Sequence, residues 1–146
     1  MAEKMSTSLC NYMLGTGSLK GAFTNMELRL YAGSVPATAD AAAGSTAVVV
    51  VKNGGSYATF GTASGGVIGI NSTETWTGTA GSSTTLTFYR LVAHADDDLT
   101  DVGTYTRNRV QGTIGVGGSD MNVGTAAVTS GAAFTVNTFT QAIVPS

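Results

Sequence analysis

The charge-dense stretch His-Ala-Asp-Asp-Asp-Leu-Thr-Asp at residues 94–101 holds the side chains most suited to chemistry. Its carboxylates offer the hard oxygen ligands that Ca²⁺ prefers. They belong to Asp96, Asp97, Asp98 and Asp101. The spacing differs from an EF-hand, because no glycine follows the third acid and no distal glutamate closes the loop. Runs of like charge are usually exposed, so the sequence predicts a solvated loop and no metal site.

The single histidine, His94, is the one imidazole available for acid–base catalysis. It could form a dyad with a nearby aspartate such as Asp97. A hydrolase would also need a positioned nucleophile, and the chain has no G-x-S-x-G motif. The sequence therefore favours a surface histidine at a strand end and predicts no catalytic residue, with a small hydrolase that uses His94 and Asp97 as the enzyme alternative.

Cysteine and glycine patterns predict no cofactor or metal site either. Cys10 is the sole cysteine, which excludes an internal disulfide and a cysteine-built zinc site, and a buried apolar role is its default. Glycine-rich stretches at 15–21 and 115–120 resemble phosphate loops only loosely. Neither fits G-x-G-x-x-G or G-x-x-x-x-G-K-S/T, and neither has a βαβ context, so both are predicted to be turns.

Aromatic side chains give the chain one further possible binding chemistry. Trp76, Tyr57, Tyr89 and Tyr105 could together form a face on which sugar rings stack. A lone tryptophan more often packs in a core or an interface, and this is the favoured interpretation. Both readings stay open at the level of the sequence.

Composition narrows the class of protein. The 146 residues include 20 glycines, and only 11% are charged, against about 25% in typical domains. The scarcity of strong helix formers argues against a helical bundle. The net charge is −2 without a basic cluster, which argues against nucleic-acid binding, and no apolar run approaches the length of a membrane span. No secretory signal is recognisable, so synthesis in a cytoplasm is expected. A surface so poor in charge is typical of one that partners cover.

Periodicity places one short helix before the strands. Residues 1–7 are predicted to be a flexible or docking arm, and residues 8–146 a single domain. Ser8 is the expected N-cap and Gly15 the expected stop of a two-turn helix. The strand Met26–Ala32 alternates, with Glu27, Arg29 and Tyr31 on one face, so it is predicted to be half-buried.

The remaining strands follow at 8–14-residue spacing. The β-branched run at 47–51 is predicted to be buried on both faces, and Asn53-Gly54 is typical of a type I′ hairpin turn. A phase slip near Asn137-Thr138 indicates a bulge in the last strand. Further strands are predicted at 57–60, 67–70, 74–79, 84–93, 109–116, 120–123 and 133–144. About eight strands of this kind predict an all-β, jelly-roll-like β-sandwich with one short N-terminal helix.

Four segments together resemble a known family. They are LRLYAGSVPATAD at 28–40, FYRL at 88–91, VQGTIGVGGSDMNV at 110–123 and TSGAAFTVNTFT at 129–140. This series, with its punctuating glycines and the Asp-Met-Asn step, resembles small virion proteins of tailed bacteriophages. The acidic loop at 96–101 is longer than the resemblance leads one to expect.

The resemblance implies a non-enzymatic structural role in the particle. It implies a head decoration, or cement, protein that binds the outside of an HK97-like major capsid shell and stabilises contacts between capsomers. The expected partners are the major capsid protein and further copies of the chain, as a dimer or trimer, with no nucleic acid, membrane or cofactor. The expected location is the capsid exterior. The alternative is a tail- or fibre-associated virion protein that binds host surface glycans.

The same expectation assigns a role to the chain ends. Residues 1–7 and 141–146 are natural docking elements, because terminal segments can become ordered on binding. Removal of residues 1–7 is therefore predicted to weaken capsid attachment and to leave the fold intact.

Overall fold

A computed structural model describes residues 3–99 and 107–142, and over these ranges the chain is an all-β protein with one short helix. Helix α1 spans Thr7–Gly15, and a 3₁₀ turn spans Lys20–Ala22. The strands are β1 (Lys4–Met5), β2 (Met26–Ala32), β3 (Val49–Asn53), β4 (Val67–Gly69), β5 (Trp76–Thr79), β6 (Thr84–Ala93), β7 (Arg109–Gly115), β8 (Met121–Asn122), β9 (Ala127–Val128), β10 (Ala133–Val136) and β11 (Thr140–Ala142). The predicted all-β class is confirmed.

Nine of these strands belong to one sheet. Seven lie in the order β1-β7-β6-β2-β3-β5-β10, while β8 pairs with β7 and β9 pairs with β6. All pairs are antiparallel except the short parallel pair of β7 with β8. Strands β4 and β11 form a separate two-stranded sheet. A jelly roll divides eight strands between two sheets, so this arrangement does not confirm the jelly-roll part of the prediction.

The central strands β2, β6 and β7 separate two buried layers. Leu28 of β2 lies opposite Leu91 of β6, which lies opposite Val110 of β7, and these side chains face an apolar core. The alternate residues face the other way, where Arg29 lies opposite Arg90. Six of the seven residues of β2 are buried. The prediction of a half-buried β2 is therefore wrong, because loops cover its polar face.

Aromatic rings extend the apolar core beyond the central strands. The Phe139 ring lies 5.8 Å from Trp76 and 5.3 Å from Tyr89, and the Phe60 ring lies 6.4 Å from Trp76. Leu9 of α1, which is fully buried, packs into the same cluster. The core thus joins β5 and the helix to the central strands.

The N-terminal segment differs from the predicted arm and helix start. Lys4 and Met5 pair with Gln111 and Val110, so the chain joins the sheet from its fourth residue. Ser6, not Ser8, caps α1, because its extended backbone lets Oγ accept a hydrogen bond from the Leu9 N–H at 3.2 Å. The Ser8 hydroxyl instead donates to the Asn108 Oδ1 at 2.9 Å.

The β3 strand and its turn depart from expectation. Val50 is 37% exposed, so β3 is not buried on both faces as predicted. The turn closes with the Ser56 N–H donating to the Asn53 carbonyl at 2.9 Å, which makes Gly54 and Gly55 its central residues. Of these, Gly54 has a positive φ of 58°. The expected type I′ turn at Asn53-Gly54 is therefore wrong by one residue, although a turn does form there.

The predicted strand at 133–144 is two strands over its described part. The expected irregularity near Asn137-Thr138 is where β10 ends, and β11 begins at Thr140. The chain changes sheets here, because β10 pairs with β5 whereas β11 pairs with β4. The phase slip therefore marks a change of partner strand, and the predicted bulge is wrong.

Candidate functional site

Six charged residues meet in a buried layer beneath loops 34–44 and 94–99, and two of them, Asp96 and Asp98, come from the acidic stretch that the sequence singled out. We call the following six side chains the ionic layer: Glu27, Arg29, Arg90, Asp96, Asp98 and Arg109. Each of these residues is at most 8% exposed. Glu27 and Arg29 lie on β2, Arg90 on β6 and Arg109 on β7, on the face opposite the apolar core. Three guanidinium groups therefore balance three carboxylates inside the protein.

The centre of the ionic layer is the pair Arg90–Asp98. The Arg90 Nη1 lies 2.6 Å from the Asp98 Oδ1, and both side chains are completely buried. Arg90 also donates to the Gln111 Oε1 from Nε at 2.9 Å and from Nη2 at 2.7 Å. The other Asp98 oxygen accepts from the Tyr31 hydroxyl at 2.6 Å. Burial, reinforced by the charge of Asp98 and by this hydrogen bond, raises the pKa of Tyr31.

The second ion pair of the layer is Arg109–Asp96, and it is bidentate. Arg109 donates from Nε to the Asp96 Oδ2 at 2.7 Å and from Nη2 to the Asp96 Oδ1 at 2.9 Å. The Asp98 N–H donates to the same Oδ1 at 2.9 Å. Burial by itself would raise the pKa of Asp96. The hydrogen bonds from Arg109 and the Asp98 N–H, with the charges of Arg109 and Arg107, outweigh burial and hold that pKa below its usual range.

The third ion pair is Arg29–Glu27, and it extends to the surface through His94. The Arg29 Nε donates to the Glu27 Oε1 at 2.7 Å, while the His94 Nδ1 lies 3.1 Å from the Glu27 Oε2. The His94 side chain is 53% exposed and follows β6, which confirms the predicted surface histidine at a strand end. Its charged partner here is Glu27, while Asp97 accepts a hydrogen bond from Arg107 at 2.6 Å. The His94–Asp97 dyad of the enzyme alternative does not form between these described residues.

The ionic layer also holds the covering loop by its backbone. The Gln111 Nε2 donates to the Pro36 carbonyl at 2.8 Å, and the Arg90 Nη2 to the Thr38 carbonyl at 3.3 Å. The Arg109 Nη1 donates to the carbonyls of residues 39–41 at 3.3–3.5 Å. These bonds give acceptor partners to donors of the buried side chains and tie the loop backbone to the sheet. The arrangement cross-links loops to a sheet, and its guanidinium groups are engaged with carboxylates and carbonyls.

These contacts overturn the predicted solvated loop. Asp96 is 6% exposed and Asp98 is fully buried, although the Asp97 side chain is 51% exposed. Asp101 lies outside the described residues. Within residues 3–99 and 107–142, no group of three or more His, Cys, Asp or Glu side chains is arranged to hold a metal ion.

The aromatic candidates do not share a surface. Trp76 is 1% exposed and donates from Nε1 to the Glu74 Oε2 at 2.8 Å, which confirms the favoured packing role. Tyr89 is fully buried, and its hydroxyl donates to the Glu3 carboxylate. Burial, followed by that hydrogen bond, raises the pKa of Tyr89. Tyr57 contacts His94, and Tyr105 lies outside the described residues.

The remaining sequence candidates are structural. Bends at 116–120 confirm one predicted turn, where Gly118 has a φ of 71°. The stretch at 15–21 contains the end of α1 and the start of the 3₁₀ turn. Cys10 is only half-buried on α1, so the buried role that the sequence analysis took as its default is wrong.

The three arginines of the ionic layer are not among the site residues that the sequence patterns indicated. Arg90 carried a signal, because it stands between Tyr89 and Leu91 in the apolar second half of β6, where a charge is costly unless it is paired. No described helix is long and apolar enough to cross a membrane. Comparisons with protein-family models, curated proteins and solved structures give no match to this chain.

Proposed function

We propose that this chain is a structural protein of a tailed-bacteriophage particle, a decoration protein that binds the outside of an HK97-like capsid shell. The observation that carries the proposal is where the four resembling segments lie. Segment 28–40 contains most of β2 and the loop over the ionic layer, and segment 88–91 lies in β6. Segment 110–123 contains most of β7 and all of β8, and segment 129–140 contains β10 and the first residue of β11. The shared pattern therefore belongs to the part of the fold that fixes its shape.

Charge burial supports the same role. The chain has seven basic and nine acidic residues, and the ionic layer takes six of them off the surface. The outer faces are thereby left still poorer in charge than the composition indicates. Few charges on a contact face lower the desolvation cost of a broad interface. When many identical copies bind one shell, avidity compensates for the modest affinity of each single contact.

Internal rigidity is the second physical requirement. A protein that clamps neighbouring capsomers must keep its loops in one conformation under load. Directional bonds from Arg90, Arg109 and Gln111 hold the loop at 36–41, whereas apolar contact alone would let it adjust. Satisfied polar networks of this kind specify a unique arrangement.

The test uses particles of the phage that encodes the chain. Heads are prepared without this protein, mixed with the purified full chain, sedimented and imaged by electron cryomicroscopy. We expect saturable binding at a fixed ratio to capsomers, density outside the shell, and heads that resist heating better than undecorated ones. Absence of the chain from mature virions would contradict the proposal, and its presence on tails alone would favour the glycan-binding alternative.

A further inference from the structure

The turn that follows β3 contains an Asn-Gly step. Asn53 is the last residue of β3 and is half-buried, and residues 54–56 after it are exposed. Asn53 is the only asparagine of the chain that precedes a glycine. An asparagine side chain in this position can react with the main chain, because glycine has no Cβ to hinder the approach of its backbone nitrogen.

The nucleophile and the leaving group of such a reaction are both available here. The Gly54 N–H, which supplies the nucleophile, donates to no acceptor among the described residues. The Asn53 Nδ2, which supplies the leaving group, makes no hydrogen bond within the same part of the chain. The turn is also open, since no atom of a more distant residue lies within 4 Å of the place that a Cβ of Gly54 would take. The peptide plane between the two residues therefore turns without displacing a packed side chain.

The fold also places a donor on the atom where charge would develop. The Asn53 Oδ1 accepts a hydrogen bond from the Thr75 N–H at 3.3 Å. Attack on the Asn53 Cγ puts negative charge on this oxygen, and a fixed backbone donor stabilises such charge. Hydrogen bonds to a charged oxygen are shorter and stronger than those to a neutral one, so the contact with Thr75 favours the tetrahedral intermediate over the resting amide.

We propose that Asn53 is a site of spontaneous deamidation in the folded protein. The Gly54 nitrogen gives its proton to a solvent base and forms a bond to the Asn53 Cγ. The bond from Cγ to Nδ2 then breaks, and Nδ2 takes a proton from solvent and leaves as ammonia. The resulting five-membered succinimide takes up one water molecule and opens at either of its carbonyls, which gives aspartate or isoaspartate at residue 53.

The two products act differently on the turn. Aspartate adds one negative charge to a chain whose net charge is −2, and it keeps an oxygen that accepts from the Thr75 N–H. Isoaspartate adds the same charge but routes the main chain through the former side chain. The Asn53 carbonyl, which accepts from the Ser56 N–H at 2.9 Å and closes the turn, then leaves the main chain. The inference does not depend on the capsid proposal.

The experiment incubates the folded full chain in mildly alkaline buffer made with H₂¹⁸O and maps the products by mass spectrometry. We expect Asn53 to be the first asparagine modified, with one ¹⁸O atom in each product and with isoaspartate present, because isoaspartate forms only through the succinimide. Asn71 is the internal control, since it is also half-buried but precedes Ser72, and its Nδ2 donates to the Thr59 Oγ1 at 3.2 Å. Modification of Asn71 before Asn53, or a lack of isoaspartate at residue 53, overturns the proposal.

Two substitutions in the turn sharpen the test. Gly54→Ala adds a methyl group beside the attacking nitrogen, and we expect it to slow the loss of Asn53 at least about ten-fold, which corresponds to about 1.4 kcal/mol of activation free energy. Gly55→Ala adds the same group at the next exposed glycine, where a Cβ has room, and should leave the rate unchanged. An equal rate in the Gly54→Ala variant overturns the proposal. Since Gly54 has a positive φ of 58°, urea unfolding checks that this variant folds, and the comparison of Asn53 with Asn71 needs no substitution.

Discussion

The two faces of the central strands are both buried, yet different forces hold them. On one face, Leu28, Leu91 and Val110 pack in an apolar cluster. On the other, Arg29 and Arg90 lie side by side and are neutralised by carboxylates. Apolar contact is non-directional, so it stabilises the sheet without fixing what lies over it. Charged hydrogen bonds are directional, so the ionic face determines where its covering loops lie.

The difference shows that burial alone says little about stability. Removal of two charges from water costs several kcal/mol per ion, which their attraction repays only when the geometry is good and the remaining polar atoms are satisfied. The Arg90–Asp98 pair meets these conditions, with Gln111 and Tyr31 as further partners. We therefore expect the apolar face to supply most of the net stability and the ionic face to supply specificity.

The largest effect is expected from Arg90→Met. This substitution leaves Asp98 without its main charged partner in a fully buried position. We expect a loss of about 3–5 kcal/mol in the free energy of unfolding, measured with urea. The double variant Arg90→Met/Asp98→Asn is the control, since asparagine tolerates the positive φ of 59° at this position.

The double variant should lose less than the sum of the two single losses, because it leaves no unpaired charge. A loss below about 1 kcal/mol in the Arg90→Met variant would contradict the prediction, since it would place the pair among those that contribute as little as surface ion pairs.

The apolar face is tested by Leu28→Ala. Leu28 is fully buried, and its truncation leaves a cavity between β2 and the rest of the core. We expect a loss of about 2–5 kcal/mol, the usual cost of such a truncation, and we expect it not to change between pH 3 and 7. Val50→Ala on the neighbouring strand is the matched control, and because Val50 is 37% exposed its loss should be much smaller. A strong pH dependence of the Leu28→Ala loss would show that the two faces are coupled.

The pH dependence of stability distinguishes the ionic face from the apolar face, because Asp96 titrates in the acid range. The pKa of Asp96 is lowered in the folded protein, so the unfolded chain takes up its proton at a higher pH than the folded chain does. Its contribution is therefore complete above the unfolded pKa of about 3.9 and is lost as the pH falls through the folded pKa. At pH 7 we expect Asp96→Asn to cost about 1.5–3 kcal/mol, as for other hydrogen bonds to charged groups.

The cost of Asp96→Asn should shrink as the pH falls below about 3.9, because the unfolded chain then binds a proton at Asp96 that the folded chain binds only at a lower pH. Asp97→Asn is the matched control, since the Asp97 side chain is half-exposed and should matter little at any pH. A constant cost across this pH range would mean that Asp96 acts through packing and not through its charge.

Local patterns in the sequence predicted which residues share a face but not what covers that face. Alternation placed Glu27, Arg29 and Tyr31 together, and the register confirms it. Their burial depends on loop 34–44 and on Asp96 and Asp98, each of which is 67 residues away from the β2 residue that it contacts. The alternation of residues along one strand does not predict contacts with residues so far away in the sequence.

The absence of long-range information in local patterns also explains the wrong predictions for β3 and for the last strand. A β-branched run predicted a fully buried β3, yet nothing in residues 47–51 states whether a loop covers Val50. The phase slip at Asn137-Thr138 was visible in the sequence, whereas the change of partner from β5 to β4 was not. Charge runs predict exposure on average, and Asp96 and Asp98 depart from that average because buried arginines on other strands require partners.

A smaller effect is expected where the helix meets the ionic face. The Ser6 Oγ accepts from the Leu9 N–H and from the Arg109 N–H at 2.9 Å. Ser6→Ala removes the helix cap and leaves a buried N–H without an acceptor, so we expect a loss of about 1–2 kcal/mol in unfolding experiments. Ser8→Ala is the matched control and removes one side-chain bond to Asn108. A larger loss for Ser8→Ala would place the cap at Ser8 after all.

The smallest effect is expected at the rim of the ionic layer, where an exposed and a buried contact to the same carboxylate can be compared. His94 and Arg29 both contact Glu27, but the His94 side chain is 53% exposed whereas that of Arg29 is 10% exposed. Water screens the first contact, so His94→Ala should lower the free energy of unfolding by less than about 1 kcal/mol. Arg29→Met removes the buried partner of the same carboxylate, while Lys52 and His94 stay near it, and should cost about 1.5–3 kcal/mol. If His94→Ala and Arg29→Met lose equal free energy in urea unfolding, the burial of the partner does not determine what each contact with Glu27 contributes.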